Sequence, residues 1–177
     1  MKLQTIDKKI YRKRVNVLMA ITVIVLLLTS LGISNLLILL FGTGVDGDHF
    51  WFNLVGVITG LVVVAVMNSI LAKKPFMAEV SYVRSLKKEM NRIYRSSKLL
   101  QEKAEQDDKT ALIITYFNLQ ASKQVYELDD NTLTMDELNN KIELLDEKIA
   151  KLGFEVQIDD YNSELLSRLS SRLSSEV

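Results

Sequence analysis

Between Arg14 and Lys73 the chain carries two charges, Asp46 and Asp48, separated by one glycine near the middle of the interval. Two charge-free runs result, Val15–Phe41 of 27 residues and Phe50–Ala72 of 23. A helix needs about 20 apolar residues to cross roughly 30 Å of hydrocarbon, so each run is long enough to span. Backbone inside lipid must satisfy its hydrogen bonds internally, which requires both runs to be helical. The intervening Gly42-Thr-Gly-Val-Asp-Gly-Asp-His49 is rich in glycine and aspartate, the residues that tolerate tight reversal. The expected unit is a transmembrane hairpin over 15–72, with spans 15–41 and 50–72 joined by an outer loop 42–49.

Charge segregation orients that hairpin. Residues 1–14 sum to +5, with Lys2, Lys8, Lys9, Arg12, Lys13 and Arg14 against one acid. The loop sums to −2, and residues 73–98 sum to +6. Basic flanks stay on the cytoplasmic side, so both termini are expected in the cytoplasm and the loop outside. Phe50-Trp51-Phe52, with Phe41 opposite, supplies aromatic anchors at the outer interface. A cleavable signal would have an apolar core of about 7–15 residues and a small-residue cleavage site. The first run is nearly twice that length and no A-x-A pattern follows it, so it reads as an uncleaved anchor. Lipid and its anionic inner-leaflet headgroups are the first expected partner, attracted by the juxtamembrane cations.

The 105 residues 73–177 suffice for one small cytoplasmic domain. Pro75 disfavours helical geometry at Lys74 and is well placed to open a new helix. That helix is expected to run over Pro75–Ala104, with Val83, Leu86, Met90, Ile93, Ser97, Leu100 and Ala104 as a heptad seam of the coiled-coil kind. Arg84, Lys87, Lys88, Arg92, Arg95 and Lys98 lie along its flank and back. They read as a solvated basic face, as a dock on the anionic membrane surface, or as a dock on the acidic half of the same chain. Residues 99–177 sum to −9, which leaves the last alternative open.

Asp107-Asp108 offers an N-cap for a helix over Lys109–Leu128. Its apolar residues cover more than one face, which predicts the central, most buried element. Asp129-Asp130-Asn131 ends it. Thr134 and Glu137 have capping-box spacing at the head of the next helix, and Gly153 is placed to close it. Phe154–Ile158 reads as an extended connector, and Asn162–Ser174 as a last amphipathic helix carrying Leu165, Leu166, Leu169 and Leu173. The predicted fold class is all-α: a two-helix transmembrane hairpin followed by a small cytoplasmic helical domain, 73–177, of about four helices, behind a basic N-terminal segment, 1–14.

Chemistry is hard to find. The chain has no cysteine, which removes disulfides, thiolate metal sites and cysteine nucleophiles. His49 is the single histidine and sits beside Asp46 and Asp48. Two carboxylates and one imidazole fall short of a dedicated hard-cation site, and a polar re-entry turn explains them. No phosphate-binding, dinucleotide, zinc-hydrolase or nucleophile-elbow motif occurs. Asp129/Asp130 and Asp159/Asp160 stand at helix boundaries, where capping accounts for them. Tyr116 and Tyr126, the best tyrosines for an assembled enzyme site, sit at core spacing. The spans hold no ionisable side chain, which argues against a proton relay or ion path. No catalytic residue, cofactor or metal ligand is therefore expected.

Within the spans, Gly56-Val-Ile-Thr-Gly60 is a G-x-x-x-G, and Ser30-x-x-x-Ser34 is its small-residue counterpart. Such spacing lets helix backbones approach closely, either inside one hairpin or between copies. Asn35 and Asn53 fall at similar depth and are candidates for a hydrogen bond across the hairpin.

The words Phe76-Met-Ala-Glu-Val80, Asn91-Arg-Ile-Tyr-Arg95 and Leu128-Asp-Asp-Asn-Thr-Leu133 add a different kind of information. Together with the opening Met1-Lys-Leu-Gln-Thr-Ile-Asp7 and Tyr11-Arg-Lys13, they resemble an uncharacterised bacterial inner-membrane family, domain of unknown function 3087. The resemblance covers almost the full length and implies a two-span protein of a Gram-negative inner membrane. It brings no activity and no site residues. Two functions are carried forward: a non-enzymatic adaptor, scaffold or assembly module with a protein partner or self-association, and an accessory subunit of a membrane enzyme or transporter packing through its spans.

Overall fold

A computed structural model describes residues 2–42 and 49–174, with side chains described to Leu169. The described residues form seven α-helices, two 3₁₀ turns and no strand: α1 (Lys8–Phe41), α2 (Phe50–Leu71), α3 (Ala78–Tyr94), α4 (Ser97–Glu105), α5 (Lys109–Asp129), α6 (Met135–Lys151) and α7 (Ser163–Ser174). They divide into two compact units, one of residues 9–81 and one of residues 1–8 with 82–177. The fold class is the expected all-α arrangement of two long apolar helices followed by a helical domain.

In the first unit, α1 and α2 are both long and apolar enough to cross a membrane. Only 6% of the most apolar window of α1 and 11% of that of α2 is buried within the protein, unlike the core helix of a soluble domain. α1 begins at Lys8, two turns before the charge-free run, so its 34 residues extend about 50 Å. At the far end of α2 the chain turns through an extended Lys74 into a 3₁₀ turn at Pro75–Met77, as a residue preceding proline requires. Ser81 Oγ donates to the Ala72 carbonyl at 2.8 Å, satisfying one of the last acceptors of α2. Arg14 pairs with Glu79 in the first turn of α3, where a carboxylate also meets the positive end of the helix dipole.

The second unit is built around α5, which buries eight side chains, more than any neighbour. One face meets Leu86, Ile93, Leu100, Leu166 and Leu169 through Ile114, Phe117, Ala121 and Val125. Another face presents Leu112 to Leu145 and Ile149 of α6. Its N-cap is Asp108, accepting from Ala111 N at 2.9 Å. Its end is set by Asp130 in the left-handed region (φ 56°), from which the chain returns a hydrogen bond to the Tyr126 carbonyl.

Three expectations change. The helix predicted over Pro75–Ala104 is broken at Arg95-Ser96, where Ser96 N bonds back to Ile93 O in 3₁₀ fashion. Two consecutive serines offer weak helix propensity there, and the bend still returns Leu100 to the core while Ser97 is exposed. Five helices therefore follow the hairpin instead of about four. The Thr134–Glu137 capping box does not form: Thr134 makes no side-chain cap, and Glu137 bonds to Lys141 one turn on at 2.6 Å. A reciprocal box forms instead at a 3₁₀ turn over Ile158–Asp160, between Gln157 and Asp160.

Candidate functional site

The six basic residues from Arg84 to Lys98 separate into two groups. Lys87 reaches Asp129 at the end of α5 at 2.6 Å. Arg92 pairs with Glu89 at 3.4 Å and donates to Ser163 O at 2.9 Å and Ser167 Oγ at 2.6 Å, pinning α7. Arg84, Lys88, Arg95 and Lys98 are all exposed, and among the described residues none of them forms an ion pair. Arg84 and Lys88, one turn apart, lie on the side of α3 opposite Leu86 and Ile93; Arg95 follows in the bend and Lys98 in the first turn of α4. An outward cationic patch of four side chains remains when the fold has used the other two.

An opposite stripe lies on α6. Leu138, Ile142, Leu145 and Ile149 are its buried edge, and Asp136, Glu143 and Glu147 point the other way, all exposed. Leu144 lies beside them, 67% exposed. The same helical unit thus displays a basic surface and an acidic surface on separate outer faces.

Between α4, α5 and α6 is an open groove of about 370 Å³ with an apolar floor that includes Leu100, Leu112 and Leu145. Tyr94, 73% exposed, stands at its edge. Lys148 at the rim is committed to Asp107 at 2.8 Å and to the Ala104 carbonyl at 2.5 Å, so it holds α6 to the end of α4. The floor suits an apolar side chain, and Glu105 joins Lys148 in the lining.

The tyrosines and carboxylates weighed for catalysis each have a packing, pairing or capping contact. Tyr116 packs beside Leu112 and Leu145; burial, then the Asp146 carboxylate, raise its phenol pKa. Tyr126 packs against the main core. Asp129 holds Lys87, Asp130 caps α5 and pairs with Lys8, Asp159 pairs with Lys2 at 2.7 Å, and Asp160 accepts from Gln157 N at 2.8 Å. Asp46 and Asp48 lie outside the described residues, which otherwise contain no group of three or more potential metal ligands.

In the hairpin, Gly56 and Gly60 are both buried, facing α1. A Cβ on Gly56 would lie 2.5 Å from the Ser30 carbonyl oxygen and 3.0 Å from Ser34 Cβ; one on Gly60 would run into Ser30 Oγ. The small residues of the two apolar helices are therefore used on each other. Ser34 donates to the Asn53 side-chain oxygen across the same contact. Asn35, the partner considered for Asn53, is exposed one position further on, because the helix turns it about 100° away from Ser34.

Two features were not anticipated. Tyr161 is 2% exposed, stacked on Phe117 and bonded to Glu89; its signal was an aromatic residue isolated in the polar run 159–163. The other is the N-terminal segment. Gln4 N donates to Tyr82 Oη at 2.9 Å, Tyr82 donates to Gln124 at 3.0 Å, and Gln124 donates back to the Gln4 carbonyl. Leu3 packs on the core, and an apolar Leu3 and Ile6 in an otherwise basic segment were the hint.

No curated protein and no solved structure matches the chain. One family model does, over residues 1–166, a range that takes in both apolar helices and the helical unit as far as Leu166 in α7. The chain belongs to the family described as Protein of unknown function (DUF3087).

Proposed function

We propose that this chain is a two-span protein of the bacterial inner membrane, with both termini in the cytoplasm, whose helical domain is a non-enzymatic interaction module. The observation that carries the reading is a pair of outward charged patches: Arg84, Lys88, Arg95 and Lys98 along α3, the bend and α4, and Asp136, Glu143 and Glu147 on α6, where Glu147 also meets the exposed Lys151 at 3.6 Å. Complementary patches on the outside of a closed core speed encounter and select partners more than they add affinity. The partner chemistry that fits the basic patch is an acidic helical surface, and a second copy of this chain supplies one. Head-to-tail pairing of α3–α4 with α6 is the simplest assembly, and anchoring in one bilayer confines the copies to a shared plane.

The test uses the full chain in detergent and in cells. Sedimentation at low and high salt is expected to show self-association that weakens as salt screens surface charge. Reversal of Arg84 and Lys88 to Glu abolishes it, and a chain with Asp136, Glu143 and Glu147 reversed to Lys restores it when mixed with that variant. A monomer at every salt concentration, with nothing captured by a photocrosslinker at position 95 in living cells, overturns the reading. A reporter fused after Val177 that is active outside the cell overturns the orientation.

The accessory-subunit alternative would use the lipid-facing sides of the spans. Gly56 and Gly60 are engaged with α1, so a partner helix would approach elsewhere, for instance at Gly32, where an added Cβ meets nothing within 4 Å.

A further inference from the structure

The first unit contains a cleft that the interaction reading does not use. Ile10, Lys13, Arg14, Val17, Leu18 and Ile21 follow one stripe of α1 at three- and four-residue spacing. Leu71 at the end of α2 and Phe76 and Met77 of the 3₁₀ turn face them, enclosing about 350 Å³. That is within the usual size of a small-molecule site, about 300–1,000 Å³. Its walls are apolar and half exposed: Ile10 42%, Val17 50%, Phe76 51%.

The cations at the cleft are not equivalent. Arg14 is committed to Glu79. Lys13 is exposed, and among the described residues it makes no ion pair. The cleft straddles Arg14–Val15, the point at which charge stops in α1, so its apolar part belongs to the hydrocarbon and its cationic part to the headgroups. Lys73 and Lys74 follow Leu71 within three residues.

We propose that this cleft is a binding site for an anionic phospholipid, one acyl chain lying against Val17, Ile21, Leu71 and Phe76 and the phosphate meeting Lys13. The occupant must be apolar along most of its length and negative at one end. Glu79 is already used by Arg14, and Lys13, without an ion pair among the described residues, is left to meet an outside anion. Basic pockets beside spanning helices recognise anionic headgroups in this way. The inference rests on the membrane reading of α1 and α2.

Full-length protein is reconstituted into phosphatidylcholine vesicles containing phosphatidylglycerol, extracted in mild detergent, and weighed by native mass spectrometry to identify the lipid it keeps. Retention of phosphatidylglycerol above its share of the vesicle is expected. Lys13→Gln reduces that preference about fivefold, the effect of one lysine at an anionic surface, and Lys13→Arg keeps it. Val17→Trp, which fills the cleft, removes retained lipid of both kinds. Equal retention of both headgroups, or a preference unchanged in Lys13→Gln, overturns the site while leaving the membrane reading intact. Flotation of the same vesicles separates the two failures, because a chain that does not float with lipid overturns both.

Discussion

The phenol ring of Tyr161 lies flat on Phe117, with centroids 4.0 Å apart and planes 14° from parallel. Its hydroxyl donates to Glu89 at 2.5 Å, and Glu89 is held in turn by Arg92. One side chain from the connector after α6 therefore closes the core of α5 and bonds to α3. Tyr161→Ala is expected to cost about 3–5 kcal/mol through the cavity it leaves. Tyr161→Phe should cost about 1–2 kcal/mol, because the ring remains and a largely buried carboxylate loses a donor. Chemical denaturation of the detergent-solubilised protein, followed by the near-ultraviolet signal of the core aromatics, measures both.

The same pair makes stability depend on alkaline pH. A phenol ordinarily titrates near 10, and burial, then the Glu89 carboxylate, hold the Tyr161 proton on more tightly in the folded chain. The folded state thus binds more protons than the unfolded one above pH 10. The stabilising share of Tyr161 is complete below about pH 10 and is lost as the pH rises from there through the raised folded value. Tyr82 and Tyr116 are shifted in the same direction, mainly by burial. Melting temperatures between pH 9 and 11.5 should fall less steeply in Tyr161→Phe than in the wild type, without becoming flat. Parallel slopes would remove Tyr161 from the account.

The hairpin contact gives a prediction with its own control. Gly56→Ile and Gly60→Ile each force a side chain into backbone or hydroxyl groups of α1, and each should cost about 1–3 kcal/mol of hairpin packing. Gly32→Ala meets nothing within 4 Å and should be neutral or slightly stabilising, since alanine favours the helix. The chain has no cysteine, so a single engineered pair across α1 and α2 reports the contact without background. Crosslinking yield should drop in the Gly56 and Gly60 variants and hold in Gly32→Ala.

Local signals were the legible ones. Charge-free length located both long apolar helices, though not the start of α1 at Lys8; Asp107-Asp108 and Asp129-Asp130-Asn131 bounded α5, and its apolar content announced its central place. The break at Arg95-Ser96 was not legible, because a heptad seam carries through a one-turn bend with only Ser97 out of place. The Thr134 box had the right spacing, but Lys141 offered Glu137 a charged partner one turn away. Of the six basic residues from Arg84 to Lys98, pattern alone could not sort Lys87 and Arg92 from the four exposed ones without an ion pair, since their partners Asp129, Ser163 and Ser167 are distant in sequence. Long-range contacts of this kind leave no periodicity to read.

Gly153 is a case where sequence and geometry agree and the cost can be isolated. It adopts φ 67° after α6, and an added Cβ would meet nothing within 4 Å. Gly153→Ala should therefore destabilise through backbone conformation alone, by about 1–2 kcal/mol. Gly153→Asn should recover part of that, because asparagine tolerates the left-handed region. Equal midpoints for wild type and the alanine variant in urea would show that the helix end relaxes to another conformation.

Gln124 ties the N-terminal segment to α5 by accepting from Tyr82 and donating to the Gln4 carbonyl, while Gln4 N closes the ring on Tyr82. Three hydrogen bonds share two side chains, so removing one group strands the others. Gln124→Leu is expected to cost about 1–2 kcal/mol and to release residues 2–6 together with Leu3 from the core. Tyr82→Phe should have a similar effect, and the double variant should cost less than the sum, because both act on the same ring. Deuterium uptake at the Gln4 amide reads this directly: faster exchange is expected in each single variant. Lys2→Ala, which removes an exposed pair with Asp159, should leave it nearly unchanged, as solvent-exposed ion pairs contribute little.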